Sequence, residues 1–294
     1  MSAQLAQPGI LAPIPPCGRS MVFRLVPETD PRPTLARLGA GFHPDWGVVG
    51  LGEPLLRALG AAVPGLRVFP SLAGPACSVP ATQSALWCLL RGEDRSALFD
   101  AGERVRALLD PAFVLDDAVD TFLYAGGRDL TGYEDGTENP KGDDAVEAAL
   151  VATGAGLAGS SFVAVQRWAH DLDRFRRHTP AECDDIIGRR RDDNEELDDA
   201  PASAHVKRSA QESFSPPAFM LRRSMPWAGT CEQGLEFIAY GKSLDAFETM
   251  MRRMAGLEDG IVDALFTFSR PVTGGYYWCP PIKAGRLDFS ALGE

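Results

Sequence analysis

The order of strand-like and helix-like patterns constrains this chain most, because the same order runs through it twice. The first half is predicted as strand, helix, strand, strand, helix, strand, from the alternating residues 20–26 to a long strand over 113–124. The second half repeats this order less cleanly, from a strand over 161–170 to a final strand over 275–279. Two successive βαββαβ units predict an α+β protein built from duplicated ferredoxin-like units.

This duplication divides the chain into three predicted regions. Residues 1–19 carry several prolines, which break helices, so they are predicted to form a loose N-terminal arm. Residues 20–150 form the N-terminal ferredoxin-like lobe, and residues 151–294 form the C-terminal one. Within the second lobe, the patterns predict a strand over 219–225 and a helix over 259–268.

Charge and hydropathy exclude several classes of partner. The 294 residues carry a formal net charge of −11, whereas binding to nucleic acid or to anionic lipid needs clustered Lys and Arg. No stretch reaches the roughly 18 consecutive apolar residues that a membrane span requires. The N-terminus also lacks the basic and continuous apolar regions of a signal peptide. A cytoplasmic protein that binds neither nucleic acid nor membranes is expected.

The loop Gly132-Tyr-Glu-Asp-Gly-Thr-Glu-Asn-Pro140 is the first candidate for chemistry. Its glycines permit tight turns and a close approach of the backbone to a flat ligand. Asp135 lies between them. The acidic residues lack the alternate-position oxygens of an EF-hand, so a calcium site is not indicated. The pattern alone leaves open whether the loop is a turn or a functional site.

A metal site, if present, depends on few histidines. The chain has four, and none has the spacing of a zinc or non-haem iron site. His205 lies where the chain can re-enter the core after the charged run 189–200. If one protein nitrogen holds a metal, haem iron is favoured over zinc.

Two arginines interrupt an apolar strand pattern in the second half. Arg222 and Arg223 face opposite sides of a strand, so one of them points inward and needs an anionic partner. That arginine is either a structural partner of a core carboxylate or a fixed cation beside a reactive oxygen.

Together these segments resemble the dye-decolorizing (DyP-type) haem peroxidase family, in its bacterial intracellular branch. The family marker G-x-x-D-G is present at residues 132–136, inside the longer string RDLTGYEDGTENP. Further similar segments follow in the C-terminal half: SFVAVQRWAHDL, SAHVKR, RRSMP and GLEFIAY. The resemblance spans the chain from Met21 to its end and implies a dimeric α/β-barrel type fold with haem b in the C-terminal lobe.

The resemblance also implies roles for individual residues. His205 corresponds to the proximal iron ligand, and Asp263 resembles the acid that accepts the other N–H of that histidine. Asp135 corresponds to the distal acid–base residue and Arg222 to the distal arginine.

Three further residues are expected to contact the cofactor or the distal pocket. Ser224, two residues after Arg222, is expected on the same side of the strand. Glu138 and Arg189 are expected near the haem edge.

The implied activity is reduction of hydrogen peroxide with one-electron oxidation of bulky organic donors such as dyes or phenolics. An acidic activity optimum and a homo-oligomeric state are expected as well. The alternatives are a haem-binding or haem-transfer protein, a porphyrinogen-oxidising enzyme with little dye turnover, and a chlorite-decomposing enzyme on a related barrel. The G-x-x-D-G loop disfavours the last of these.

Overall fold

The computed structural model describes residues 2–293. Its helices are α1 Ser2–Leu5, α2 Pro8–Leu11, α3 Arg32–Gly41, α4 Glu53–Leu59, α5 Arg95–Leu109, α6 Gly142–Ala149, α7 Leu172–Phe175, α8 Pro180–Ile187, α9 His205–Ser209 and α10 Asp245–Met254. Its strands are β1 Cys17–Leu25, β2 Gly47–Leu51, β3 Leu72–Ala73, β4 Ser78–Val79, β5 Leu86–Gly92, β6 Phe113–Phe122, β7 Ser161–His170, β8 Leu221–Arg222, β9 Met225–Ala228, β10 Gln233–Gly241, β11 Ser269–Pro271, β12 Gly275–Cys279, β13 Ile282–Lys283 and β14 Arg286–Leu287. None of the described helices is long and apolar enough to cross a membrane.

The main sheet closes into an antiparallel barrel. Its order is β7-β12-β2-β5-β1-β6-β9-β10, and β10 pairs back onto β7. The two halves of the chain meet at two places, where Leu51 pairs with Trp278 and Thr121 pairs with Trp227. Each half thus contributes one sheet, and the barrel closes only when the two sheets join. This confirms the predicted duplicated ferredoxin-like α+β fold.

Strands such as β2, β7 and β12 bury both of their faces, whereas β6 is mostly half-buried. One face packs with α3, α5 and α10 in the large core, which includes Phe23, Leu90 and Phe247. The opposite face forms a second core with Trp87 and Tyr277 among its members. Because side chains alternate along a strand, neighbouring residues of one strand enter different cores.

The N-terminal arm is not loose, and this prediction was wrong. Gln7 is fully buried. Its side-chain amide donates to the carbonyls of Val49 (2.9 Å) and Pro280 (3.0 Å), and its Oε1 accepts from the N–H of Val49 at 2.8 Å. Ile10 is also fully buried. Pro8 begins α2 instead of breaking it, because the first turn of a helix tolerates proline.

Two other predicted elements differ in the second half. The strand expected over 219–225 is interrupted between β8 and β9. At the interruption, the N–H of Ile238 donates to the side-chain hydroxyl of Ser224 at 3.3 Å. In a regular ladder this N–H would donate to a backbone carbonyl. The helix expected over 259–268 is reduced to a 3₁₀ turn over Ala264–Thr267. Gly260 has a positive φ of 79°, and the turn begins only where the Asp263 side chain caps it.

Candidate functional site

A cleft lies between the outer face of the barrel, α9 and α10. One end is mainly apolar and is lined by Trp168, Leu235, Phe237, Phe247, Met250, Met251, Met254 and Leu265. The other end is polar and is lined by Glu134, Thr137, Glu138, Arg189, Glu196, Gln211 and Glu212. Asp135, His205, Ser209 and Arg222 line both ends. The sequence therefore places three predicted site residues at the centre of one amphipathic cleft.

His205 begins α9 and is oriented by a buried carboxylate. Its Nδ1 lies 2.8 Å from Oδ2 of Asp263, whose side chain is fully buried. The other oxygen of Asp263 accepts the N–H of Leu265 at 2.8 Å, which fixes the carboxylate. Among residues 2–293, Nε2 of His205 has no hydrogen-bond partner. This is the arrangement that favours an imidazole nitrogen as a metal ligand.

Asp135 is held on a short hairpin. Its N–H donates to the carbonyl of Gly127 at 3.1 Å, and Arg128 pairs with Glu134 in antiparallel register. Arg128 and Glu134 form a salt bridge of 3.1 Å on one face of the hairpin. The alternation of side chains therefore places Asp129 and Asp135 together on the opposite face.

The surroundings of Asp135 favour its protonated form. Burial raises its pKa, the Arg222 cation opposes that rise, and the nearby Asp129 carboxylate adds to it. The net effect is a raised pKa. No salt bridge joins Asp135 to Arg222 in the described part of the chain, so their charges interact across the cleft.

Arg222 is anchored through its backbone to the loop that carries Asp135. Asn139 accepts the N–H of Arg222 at 2.8 Å and donates to its carbonyl at 3.1 Å. The guanidinium Nε of Arg222 is buried without a partner among residues 2–293. This buried nitrogen is a free donor that a bound water or a ligand in the cleft can satisfy.

Arg223 faces the other way, as the strand pattern predicted. Its guanidinium donates to the carbonyls of Leu11 (2.9 Å) and Ala12 (2.8 Å) at the end of α2. The two arginines therefore separate into one that faces the cleft and one that holds the N-terminal residues.

The polar end carries the two residues expected near a cofactor edge. Arg189 forms salt bridges with Glu138 (2.7 Å) and Glu196 (3.0 Å), and its side chain is mostly buried. Gln211, which the sequence did not single out, is buried and donates to the carbonyl of Glu138 at 2.8 Å.

Ser224 lies outside the main cleft. It is buried and lines a narrow crevice together with Asp135, Tyr124 and Met225. The irregular strand explains this position, because the hydroxyl of Ser224 is bonded to the backbone of β10.

The sequence also missed a second histidine in the cleft. His170 is buried at the end of β7, with Nε2 3.1 Å from Oδ2 of Asp129 and Nδ1 2.7 Å from Oγ of Ser269. The pattern of a single strand gives no signal for this group, because its partners are 41 and 99 residues away in the sequence.

Comparison with known proteins supports the same conclusion. Residues 126–284 match the family model described as Dyp-type peroxidase, C-terminal. This match covers more than half of the chain. The chain belongs to the Dyp-type peroxidase family.

Curated Dyp-type relatives are moderately similar in sequence. The dye-decolorizing peroxidase of Mycobacterium tuberculosis is 34% identical over 224 residues, which cover 74% of this chain and 67% of that protein. The one of Mycolicibacterium paratuberculosis is 34% identical over 74% of this chain. The match spans 63% of the length of that relative, less than two thirds.

Solved Dyp-type structures are similar over nearly their whole length. A dye-decolorizing protein from Vibrio cholerae is 30% identical with a TM-score of 0.82, over 92% of this chain and 96% of that chain. A variant of DypB from Rhodococcus jostii in complex with heme is 28% identical with a TM-score of 0.85, over 92% of this chain and 95% of that chain.

The cleft of this Dyp-type chain fits a haem group. A porphyrin is flat and apolar, with carboxylates on one edge, and the cleft has an apolar wall and a polar end that carries Arg189. His205 offers a free Nε2 with a buried acid behind Nδ1. The donor set and the amphipathic lining both suit this group.

Proposed function

We propose that this chain is a haem b peroxidase that reduces hydrogen peroxide and oxidises organic donors, such as dyes or phenolics, by one-electron steps. The observation that carries the proposal is the meeting of three groups in one cleft: the ligand-type His205, the acid–base residue Asp135 and the cation Arg222. When bound, haem supplies redox-active iron to this site.

His205 would hold the iron through Nε2, and Asp263 would keep the proton on Nδ1. A carboxylate that accepts this N–H makes the imidazole more basic and a stronger donor to the metal. Arg189 would pair with a carboxylate at the polar end, and Glu138 would border the same edge. The apolar wall of Phe247, Met250 and its neighbours would cover the macrocycle and exclude water.

Asp135 would move the proton. Heterolysis of the peroxide O–O bond needs a group that takes a proton from one oxygen and returns it to the other, which departs as water. Asp135 suits that role because burial, with a smaller contribution from Asp129, raises its pKa and makes its carboxylate a better proton acceptor than an exposed aspartate.

Arg222 would stabilise negative charge on the departing oxygen. Its guanidinium faces the cleft with an unpartnered Nε, so it needs no rearrangement before it donates. A haem carrier needs neither a fixed arginine nor an acid–base carboxylate opposite its ligand, so these two residues favour the enzyme over the haem-transfer alternative.

The test is an absorption spectrum of the purified chain during titration with haem, followed by hydrogen peroxide. A Soret band at one haem per chain and a rapid spectral change with peroxide are expected. Failure to bind haem would reject the proposal. Haem binding without a response to peroxide would favour the carrier.

A further inference from the structure

A second concavity lies on the other side of the wall of the cleft. This outer groove of about 750 Å³ is lined by residues of β7, α7, β10 and β11 and by the turn before β11. His170 and Ser269 line both the outer groove and the cleft that contains Asp135 and Arg222. The two side chains therefore form a buried partition between two spaces.

The partition contains a continuous hydrogen-bonded chain of three side chains. Ser269 and His170 face each other as a cross-strand pair of β11 and β7, with Oγ 2.7 Å from Nδ1. On the other side of the ring, Nε2 lies 3.1 Å from Oδ2 of Asp129. Asp129 shares a hairpin face with Asp135, so the chain ends next to the proposed acid–base residue.

Asp129 is built to remain a carboxylate. Burial raises its pKa, but the hydrogen bond and charge of His170 and two hydrogen bonds from Thr131 outweigh burial and hold the pKa below its usual value. The Thr131 bonds measure 2.8 Å from its N–H and 2.6 Å from its Oγ1. A carboxylate in this position stabilises a protonated imidazole without taking the proton itself.

The outer groove has the features of a site for an aromatic acid. Phe266 and Phe268 supply aromatic walls. Of the three arginines that line it, Arg270 pairs with Glu232 (2.6 Å) and Arg176 with Asp173 (3.5 Å). The guanidinium of Arg174 makes no salt bridge among residues 2–293. An exposed cation without a salt-bridge partner beside aromatic walls suits a phenol that carries a carboxylate.

We propose that the outer groove binds phenolic acids as electron donors and that Ser269 and His170 accept the phenolic proton. This rests on the proposed peroxidase function. Hydrogen peroxide takes up two electrons and two protons to give two waters, and two phenols each lose one electron and one proton to give two phenoxyl radicals. Each electron goes to the oxidised cofactor. As the phenol O–H bond breaks, its proton passes to Oγ of Ser269, the Ser269 proton passes to Nδ1 of His170, and Asp129 stabilises the imidazolium. Before the second phenol reacts, the imidazolium gives up this proton to the cleft that His170 lines, where the proton completes a water.

The test compares a donor that releases a proton with one that does not. 4-Hydroxycinnamate loses a proton on oxidation, whereas ferrocyanide loses only an electron. His170→Gln and Ser269→Ala in the haem-loaded chain are expected to lower kcat for 4-hydroxycinnamate by about 100-fold, the lower range for acid–base assistance. The kcat for ferrocyanide should fall much less, so the ratio of the two kcat values should drop. A merely structural role would lower both rates together.

The affinity of the outer groove for an aromatic acid is measured separately from turnover. 4-Methoxycinnamate lacks the oxidisable hydroxyl, so calorimetry reports its affinity without turnover. Arg174→Ala should weaken this affinity by roughly two- to fivefold, as expected for an exposed ion pair. Arg177→Ala is the matched control, since Arg177 is also exposed but does not line the groove, and it should leave the affinity unchanged.

The outcomes separate this inference from the proposed function. Equal loss with both donors, or full turnover of 4-hydroxycinnamate in both His170→Gln and Ser269→Ala, would overturn the proton relay. Equal affinity in Arg174→Ala and wild type would overturn the placement of the donor. In each of these cases a normal response of the haem-loaded chain to peroxide would leave the peroxidase proposal standing.

Discussion

Oδ2 of Asp263 lies 2.8 Å from Nδ1 of His205, and the carboxylate is fully buried while the imidazole is partly exposed. The acid thus acts on the cleft only through the histidine. Asp263→Asn keeps the shape and removes the charge, so the imidazole becomes a weaker base. We expect roughly 10- to 100-fold lower haem affinity or peroxide-driven turnover. Haem transfer to excess apomyoglobin and steady-state kinetics measure these effects, and wild-type values in both would contradict the assigned role.

The adjacent arginines should separate catalysis from stability. Arg222→Leu removes the cation that faces the cleft, and the spectral response to peroxide should slow by about 10²- to 10³-fold. Arg223→Leu removes two hydrogen bonds to the end of α2 and should lower the free energy of unfolding by about 1–3 kcal/mol. The Arg223 variant should react with peroxide normally once folded. Similar kinetic losses in both variants would refute this division.

The pH dependence of the peroxide reaction should follow Asp135. Its raised pKa means that the carboxylate, the form that accepts the peroxide proton, is lost as the pH falls through a value above that of an ordinary aspartate. The rate should therefore rise with pH over the range in which Asp135 loses its proton, which is the acidic limb of the pH–rate profile. Arg222 lowers the pKa of Asp135, Asp129 raises it and His205 lowers it. Arg222→Leu should thus move the limb to higher pH and Asp129→Asn to lower pH. Rapid-mixing rates across the acidic range measure the limb, and movement in the opposite directions would exclude Asp135 as its source.

Two glycines with the same φ, one before the loop and one within it, provide a matched pair. Gly126 and Gly136 both have φ of 76°. A Cβ on Gly126 meets nothing within 4 Å, whereas one on Gly136 would lie 2.7 Å from Nδ2 of Asn139, the residue that anchors Arg222. Gly126→Ala should cost only backbone strain of about 1–3 kcal/mol. Gly136→Ala should cost more and also slow the peroxide reaction, as chemical unfolding and rapid mixing would show. Equal effects would mean that Asn139 does not position the arginine.

The sequence predicted those parts of the fold that local patterns determine. The strands over 161–170 and 275–279 have the predicted bounds, because their runs of apolar residues suit strands whose two faces are both covered. The N-terminal arm was mispredicted because Gln7 meets Pro280, a contact across 273 positions that no local pattern records. The homo-oligomeric state and the cytoplasmic location stay predictions.

In the candidate site, too, some residues could be predicted from local sequence and others depend on contacts between distant parts of the chain. The loop string and the similar segments pointed to Asp135, Arg222 and His205, which meet in the cleft. Ser224 lines a crevice beside Asp135 and not the main cleft, and its contact with a cofactor or the distal pocket stays a prediction. His170 escaped notice, because its role depends on Asp129 and Ser269, which come from a distant loop and strand.

The identity of the iron ligand tests the account most directly. Resonance Raman spectra of the reduced, haem-loaded chain should show an iron–histidine stretch, and His205→Ala should lose both that band and tight retention of haem. Added imidazole should restore the band in the variant. An unchanged iron–histidine band and full haem occupancy in His205→Ala without imidazole would contradict the account.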